Sequence, residues 1–301
     1  MHFTRLLAAA AMSAAWASPL PAEELTGTLK KIKETGAITL GHRESSVPFS
    51  YYDDRQQVVG YAMDLCYRIV DAVKNELNLA NLEVKLNPVT PATRIPLIAN
   101  GTVDLECGST TNNFEREKQV AFTITLFVTA NRFVSKKSAN LKTVEDLRGK
   151  TIVSTSGSTN IKQITEIGAQ KGLNLNILPA KDHAEAFLMV ETGRAAAFVM
   201  DDILLYSLVA SSKSPGTYVI SADPLSVEPY AIVLRREDPA FKKVVDQSMI
   251  ASYRSGAINA IYDKWFLQPI PPKGINLNVP MSASFKKVIA SPTDSGDPAV
   301  Y

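Results

Sequence analysis

The alternation of strand-like and helix-like segments is the feature that most limits which fold this chain can adopt. The apolar stretches 37–42 and 195–200 predict strands, and apolar residues at helical spacing over 61–77 predict a long helix. The alternation occurs in two series, and the second begins at residue 143. This order predicts an α/β fold with largely parallel sheets.

The extended stretches on either side of the second series predict how the two halves are joined. Residues 126–135 precede this series, and residues 228–236 follow it. Both are interpreted as crossings between two halves of the molecule. Amphipathic helices are predicted at 239–254 and 256–266, before a proline-rich tail. Ligands of such folds bind at the carboxyl ends of strands and at helix N-termini, often between domains.

The first 22 residues have the pattern of a cleavable secretory signal peptide. Arg5 precedes an apolar run over 6–16, and small residues follow it. This run is too short to span a membrane. Cleavage is expected after Ala17, with Ala22 as the second choice. The mature protein is therefore predicted to be a soluble exported protein.

Charge and residue counts exclude several classes of function. The formal net charge is only +2, which argues against binding to nucleic acid. The three histidines are too few and too scattered for a metal cluster. Cys66 and Cys107 leave two states open in an oxidising compartment, a disulfide or two buried free thiols.

Two loops rich in serine and threonine, at 108–112 and 156–160, each precede a predicted helix. Backbone N–H groups at such helix starts bind carboxylates. Arg116 lies early in the first of these helices, for which Asn112 is the predicted N-cap and Glu115 the capping-box residue. Because a cation is disfavoured there, Arg116 is interpreted as the partner of a bound anion. The alternative is a surface arginine paired with a neighbouring glutamate.

Two further arginines are predicted to lie near the same edge of a sheet. Arg43 follows the first strand directly, and Arg94 begins a short helix. Each alone is typical of a surface position. Their shared placement after strands, however, brings them to one rim of a parallel sheet.

Six segments, in order and with consistent spacing, resemble the glutamate/aspartate periplasmic binding proteins of ABC importers. The resemblance extends from about Leu29 to Pro272, and it implies a two-lobed fold of the type II class with a hinge between the lobes. It implies that lobe one is 25–130 plus 230–290 and that lobe two is 131–229. The six segments are GHRESSVPFSYYD, TRIPLIANGT, ECGSTTNNFER, TSGST, AKDH and GRAAAFVMDD.

The resemblance also implies roles for individual residues at the amino-acid end of the ligand. Arg116, helped by Thr111 and Thr159, is expected to bind the α-carboxylate. Asp201, with Ser109, is expected to bind the α-ammonium group.

The resemblance places Arg43, Arg94 and His183 around the side-chain carboxylate. A zwitterion needs one cation and one anion, so these three groups are surplus positive charge that suits a second carboxylate. The expected partners are L-glutamate or L-aspartate and the membrane permease of an ABC transporter. The resemblance also implies a periplasmic location, and a monomer without a cofactor is expected.

One position departs from the family pattern. Where close relatives have serine, this chain has Pro91, which lacks a hydroxyl and a backbone N–H. Thr90 or Thr93 is the candidate replacement donor.

Two functions remain open as alternatives to a binding protein for an ABC importer. They are a cyclohexadienyl-dehydratase-like enzyme on the same fold and a soluble sensor that presents an amino acid to a membrane receptor.

Overall fold

The computed structural model describes residues 24–301. The predicted signal peptide, residues 1–22, and both predicted cleavage positions lie outside the described residues. Among the helices of residues 24–301, none is long and apolar enough to cross a membrane.

The described residues contain ten α-helices and sixteen strands. The first part of the chain contains α1 (Gly27–Thr35), β1 (Ala37–His42), β2 (Ser45–Ser46), β3 (Ser50–Tyr52), β4 (Val58–Val59), α2 (Tyr61–Glu76), β5 (Glu83–Pro88), α3 (Arg94–Ala99), β6 (Leu105–Cys107), α4 (Phe114–Glu117) and β7 (Val120–Phe122). The middle part contains β8 (Phe127–Lys136), β9 (Thr151–Thr155), α5 (Thr159–Gln170), β10 (Asn176–Ala180), α6 (His183–Glu191), β11 (Ala197–Asp201), α7 (Asp202–Ser211), β12 (Tyr218–Ile220) and β13 (Ser226–Tyr230). The last part contains β14 (Val233–Arg235), α8 (Pro239–Arg254), α9 (Ala257–Phe266), β15 (Pro269–Ile270), β16 (Ile275–Asn276) and α10 (Ala283–Ala290).

Two mixed sheets form the centre of the molecule. The first sheet has the strand order β5-β1-β6-β14-β7, and the second has the order β10-β9-β11-β8-β12, with β13 also paired to β8. Three strands in each sheet are parallel. The prediction of largely parallel sheets is wrong for the rest, because β14 runs antiparallel to β6 and β8 runs antiparallel to β11.

The two predicted crossings pair with each other. β8 and β13 are antiparallel, and the register ends with Tyr230 opposite Phe127. The predicted single strand 228–236 is in fact two strands, because β13 belongs to the second sheet and β14 to the first. The chain therefore passes from one sheet to the other between Tyr230 and Val233.

A disulfide joins α2 to the first sheet. Cys66 and Cys107 are bonded, with their Cα atoms 6.2 Å apart, and both are fully buried. The apolar face of α2 packs in the same core, together with Phe285 of α10. The alternative of two free thiols is therefore excluded. Helix α10 lies within the tail for which no helix was predicted.

Candidate functional site

The eight candidate residues lie at the end of a strand, in the loop that follows a strand or in the first turn of a helix. Six of them line one small pocket. Arg43 contacts one of the six, His183, and Arg116 contacts another, Thr111. The six residues that line the pocket are Arg94, Ser109, Thr111, Thr159, His183 and Asp201.

Arg116 is buried and links the two sides of the cleft. Its Nη1 donates to the Thr111 carbonyl at 2.8 Å, and its Nη2 donates to the Gly157 carbonyl at 3.2 Å. Burial, together with the charge of Arg94, lowers the pKa of Arg116 to about 9. The guanidinium group therefore remains charged at neutral pH. The alternative of a surface arginine paired with Glu115 or Glu117 is wrong, since Arg116 is buried and Glu115 pairs with Lys118.

The predicted start of the helix that carries Arg116 is wrong by one residue. Asn113 is the N-cap, and its side chain accepts from the Arg116 N–H at 3.0 Å. Asn112 is held in the preceding extended segment because its own N–H donates to the Pro229 carbonyl at 2.8 Å. Helix α4 has only four residues, which is too short to produce much positive potential at its N-terminus. This potential is the effect from which Arg116 was interpreted as the partner of an anion.

Arg43 and His183 meet across the cleft. Arg43 Nη2 lies 3.5 Å from His183 Nε2, and His183 Nδ1 lies 2.9 Å from the hydroxyl of Thr155. Burial and the charges of Arg43 and Arg94 lower the pKa of His183 well below its ordinary value. This direction favours the neutral imidazole in the ligand-free protein.

Arg94 is held by a hydrogen-bonded chain that ends at a buried carboxylate. Its Nη1 donates to the Thr110 hydroxyl at 2.5 Å, and this hydroxyl donates to Glu106 Oε2 at 2.5 Å. Glu106 is fully buried. Sequence reasoning missed Glu106, because a polar residue between two apolar ones is typical of the exposed face of a strand.

Asp201 lies at the end of β11, on the opposite side of the pocket. Its Oδ1 accepts from Asn160 Nδ2 at 2.7 Å, and its Oδ2 accepts from the hydroxyl of Tyr230. Burial and the nearby charge of Glu228 raise the pKa of Asp201 to about 7. The hydroxyl of Ser109 lines the same pocket and has no hydrogen-bond partner in the part of the chain that the structure describes.

Glu228 is a second buried carboxylate that sequence reasoning missed. It accepts from the hydroxyl of Thr159 at 3.0 Å and from Gln163 Nε2 at 2.7 Å. The cluster therefore contains three buried carboxyl groups, with Glu106 and Asp201, beside the three buried arginines. The surplus of positive charge expected from the sequence is correspondingly smaller.

Pro91, the position at which this chain departs from the family pattern, lines the pocket. The hydroxyls of Thr90 and Thr93 lie 3.2 Å from each other. Neither threonine is among the residues that line the pocket. The structure therefore does not place either hydroxyl where a replacement donor is expected.

Comparison with known proteins identifies the family of the chain. Residues 38–268 match the family of bacterial extracellular solute-binding proteins, family 3. The chain is 54% identical over 290 residues to the L-glutamate/L-aspartate-binding protein of Pseudomonas aeruginosa, with 96% of each chain covered. It is 46% identical over 287 residues to the glutamate/aspartate import solute-binding protein of Escherichia coli, with 95% of each chain covered.

Solved structures with the same architecture support the assignment of the fold. A mutant of ArgBP from T. maritima superposes with a TM-score of 0.70 at 27% identity, and covers 79% of this chain and 98% of its own. The solute receptor for L-cysteine of Neisseria gonorrhoeae superposes with a TM-score of 0.69, and at 23% identity it supports the fold alone. The chain therefore belongs to the bacterial extracellular solute-binding proteins, family 3, and has a two-lobed α/β fold.

Proposed function

We propose that this chain is a periplasmic solute-binding protein that captures L-glutamate and L-aspartate and delivers them to the membrane permease of an ABC importer. The observation that carries the proposal is the grouping of three buried guanidinium groups around one pocket. Arg94 lines this pocket together with Asp201, while Arg43 and Arg116 contact it through His183 and Thr111. Two relatives with about half of their residues identical are named for binding or importing glutamate and aspartate.

Binding is coupled to closure of two lobes. Lobe one is 25–130 plus 230–290, and lobe two is 131–229. The antiparallel pair β8–β13 connects them and serves as the hinge. Ligand contacts from both sides of the cleft favour the closed state, because a ligand shifts a conformational equilibrium towards the state that it binds more tightly.

The amino-acid end of the ligand is bound between Arg116 and Asp201. Arg116 binds the α-carboxylate with help from Thr111 and Thr159. Asp201 binds the α-ammonium group with the hydroxyl of Ser109, which has no partner within residues 24–301. Guanidinium and carboxylate groups form charge-assisted hydrogen bonds of the strength that this recognition needs.

The side-chain carboxylate of the ligand is bound by Arg43, Arg94 and His183. Arg43 Nη1 and Arg94 Nε are buried donors without a partner in the described part of the chain. Unpaired buried donors are costly, so a carboxylate at this position satisfies two of them. His183 contributes a neutral imidazole.

The enzyme alternative has less support than the binding protein. The similar proteins are named as binding or solute-binding proteins. The fold also occurs in an ancestral amino acid-binding protein described as a precursor of cyclohexadienyl dehydratase, which is only 26% identical. No feature of the site favours the soluble sensor, and the protein is proposed to act as a monomer.

Calorimetric titration of the mature protein tests the proposal. The protein is unfolded and refolded to remove any bound ligand, and L-glutamate, L-aspartate, L-glutamine and succinate are then injected in turn. The first two are expected to bind with a dissociation constant of about 1 µM or less, which corresponds to roughly 8 kcal/mol. L-Glutamine and succinate are expected to bind far more weakly, since each lacks one of the charged groups. Equal binding of glutamine and glutamate would contradict the roles of Arg43, Arg94 and His183.

A further inference from the structure

Glu106 is a fully buried carboxylate that Thr110 connects to Arg94, which lines the pocket. It lies in the middle of β6, opposite Gly41 of one neighbouring strand and Val233 of the other. Its Oε1 atom has no hydrogen-bond partner among residues 24–301. This atom lies so close to Gly108 that a Cβ atom at that position would overlap it. Gly108 therefore leaves free the space that this carboxylate oxygen occupies.

The charge of Glu106 acts on the two arginines at the side-chain end of the pocket. It stabilises the charged forms of Arg43 and Arg94, whose pKa values burial lowers. A Cβ atom at Gly108 would also lie 3.0 Å from Arg43 Cγ, so the Arg43 side chain passes beside the same glycine as Glu106 Oε1. Arg94 is connected to Glu106 through Thr110, with two hydrogen bonds of 2.5 Å.

The other charged groups of the site have assigned partners or roles away from Arg43 and Arg94. Arg116 and Asp201 are assigned to the α-carboxylate and the α-ammonium group, and Glu228 holds Thr159 and Gln163. The lowered pKa of His183 favours its neutral form. Among residues 24–301, Glu106 is therefore the one fully buried carboxylate beside Arg43 and Arg94 that has no other assigned role, while the charge of the partly exposed Asp182 also acts on Arg43.

We propose that Glu106 is a specificity-determining residue that restricts the side-chain end of the cleft to a group with a single negative charge. Two buried guanidinium groups without a counter-charge would favour a dianion such as a phosphate. Glu106 offsets one of them and, through Thr110, positions Arg94 for a monoanion. This inference rests on the proposed function, because it requires the ligand side chain to lie against Arg43 and Arg94.

The test compares two amino acids whose side chains end in tetrahedral groups of similar reach but different charge. L-Homocysteate carries a sulfonate monoanion, and O-phospho-L-serine carries a phosphate that is a dianion at pH 8, because its second pKa is about 6. Wild-type protein is expected to bind homocysteate more tightly than phosphoserine. Glu106→Gln is expected to shift the ratio of the two dissociation constants towards phosphoserine by roughly tenfold or more, as expected for one buried charge at short range.

Two control variants separate this role from a general loss of structure. Glu228→Gln makes the same chemical change at a buried carboxylate on the other side of the pocket, and it is expected to change both dissociation constants by the same factor. Glu106→Asp keeps the charge and is expected to keep the wild-type ratio. An unchanged ratio in Glu106→Gln would overturn the proposal.

A measurement on the wild type alone covers the case in which Glu106→Gln does not fold. At pH 5 phosphoserine is largely a monoanion, so the preference for homocysteate is expected to shrink relative to pH 8. A preference that stays constant, or wild-type protein that binds both ligands equally at pH 8, would overturn the proposal. Wild-type protein that fails to bind L-glutamate in the same series would instead overturn the proposed function.

Discussion

Gly157 lies against Ala92 across the cleft, so closely that a Cβ atom on Gly157 would be 2.6 Å from the Ala92 Cα atom. The Gly157 carbonyl also accepts the hydrogen bond from Arg116 Nη2. Ala92 and Arg116 belong to the side of the first sheet, and Gly157 follows β9 of the second sheet. The contact therefore depends on closure of the cleft, and it leaves no room for a side chain.

Gly157→Ala is expected to weaken the binding of L-glutamate by roughly tenfold or more, because the added methyl group must displace backbone atoms before the cleft closes. A penalty of about 1.4 kcal/mol corresponds to each factor of ten. Calorimetric titration measures the loss directly. Small-angle scattering with saturating ligand is expected to show a more open molecule than the wild type.

Gly193→Ala is the matched control for this substitution. Gly193 has φ of 78°, close to the 77° of Gly157, but nothing lies within 4 Å of a Cβ atom at Gly193. Both variants are expected to lose about 1–2 kcal/mol of stability from left-handed backbone. Only Gly157→Ala is expected to lose affinity, and equal affinities in the two variants would refute the steric explanation.

Arg116→Ala and Arg94→Ala are expected to have different ligand profiles. Arg116→Ala removes the group assigned to the α-carboxylate, which every amino acid has, so all amino acids are expected to lose binding. Arg94→Ala is expected to weaken L-glutamate and L-aspartate more than L-glutamine, because only the acidic side chains use this guanidinium group. Titrations with L-glutamate, L-aspartate and L-glutamine measure these losses of affinity. Equal losses for glutamate and glutamine in Arg94→Ala would contradict its assignment.

Sequence periodicity predicted the framework of the site well, for physical reasons. The helices at 61–77 and 239–254 have clear amphipathic spacing, and the structure has them at Tyr61–Glu76 and Pro239–Arg254. The three arginines and the two loops rich in serine and threonine were found because they follow strands or begin helices, and strand ends meet at one edge of a sheet. Asp201 and His183 were identified only through the resemblance to the family.

The buried carboxylates were missed because the alternation of polar and apolar residues, which predicts a strand, does not show which polar residues are buried. Glu106 and Glu228 each occur in a strand beside apolar residues, which is also the pattern of an exposed polar position. The break between β13 and β14 was missed because the apolar stretch continues through Ala231 and Ile232, both fully buried. Helix α7 is apolar on most sides and so lacks the periodicity from which a helix is predicted.

Removal of the disulfide is expected to destabilise the protein without abolishing binding. The bond closes a loop with a sequence separation of 41 between Cys66 and Cys107. In the chain-entropy model, a loop of this size contributes about 4 kcal/mol. The double variant Cys66→Ala/Cys107→Ala is expected to lower the urea midpoint accordingly, as followed by circular dichroism. Affinity for L-glutamate below the unfolding transition is expected to remain within a few-fold of the wild type, and a larger loss would mean that the bond also positions the loop that begins at Gly108.

The pKa of Asp201 predicts how the free protein responds to pH. Burial and Glu228 raise this pKa to about 7, so the folded protein holds the proton more tightly than the unfolded chain. Between pH 3.8, which equals the ordinary pKa, and about pH 7, the contribution of Asp201 to the free energy of unfolding therefore falls as the pH rises. Asp201→Asn is expected to remove this contribution from urea unfolding measured across that range.

Ligand binding is expected to have the opposite dependence on pH. The α-ammonium group needs the ionised form of Asp201, so affinity is expected to rise with pH up to about 7 and then to level off. Binding near pH 6 is expected to release a proton, which calorimetry detects in buffers with different heats of ionisation. A contribution from His183 would have the other sign, because a bound carboxylate favours protonation of the imidazole.

Tyr230→Phe provides a test that is specific to Asp201. The Tyr230 hydroxyl donates to Asp201 Oδ2, and this hydrogen bond lowers the pKa of the carboxyl group. Its removal is expected to raise that pKa further, so that the midpoint of the affinity curve moves to higher pH. His183 has no contact with Tyr230 among its hydrogen bonds to described residues, which are with Arg43 and Thr155. A midpoint that stays in place in Tyr230→Phe would therefore assign the pH dependence to a group other than Asp201.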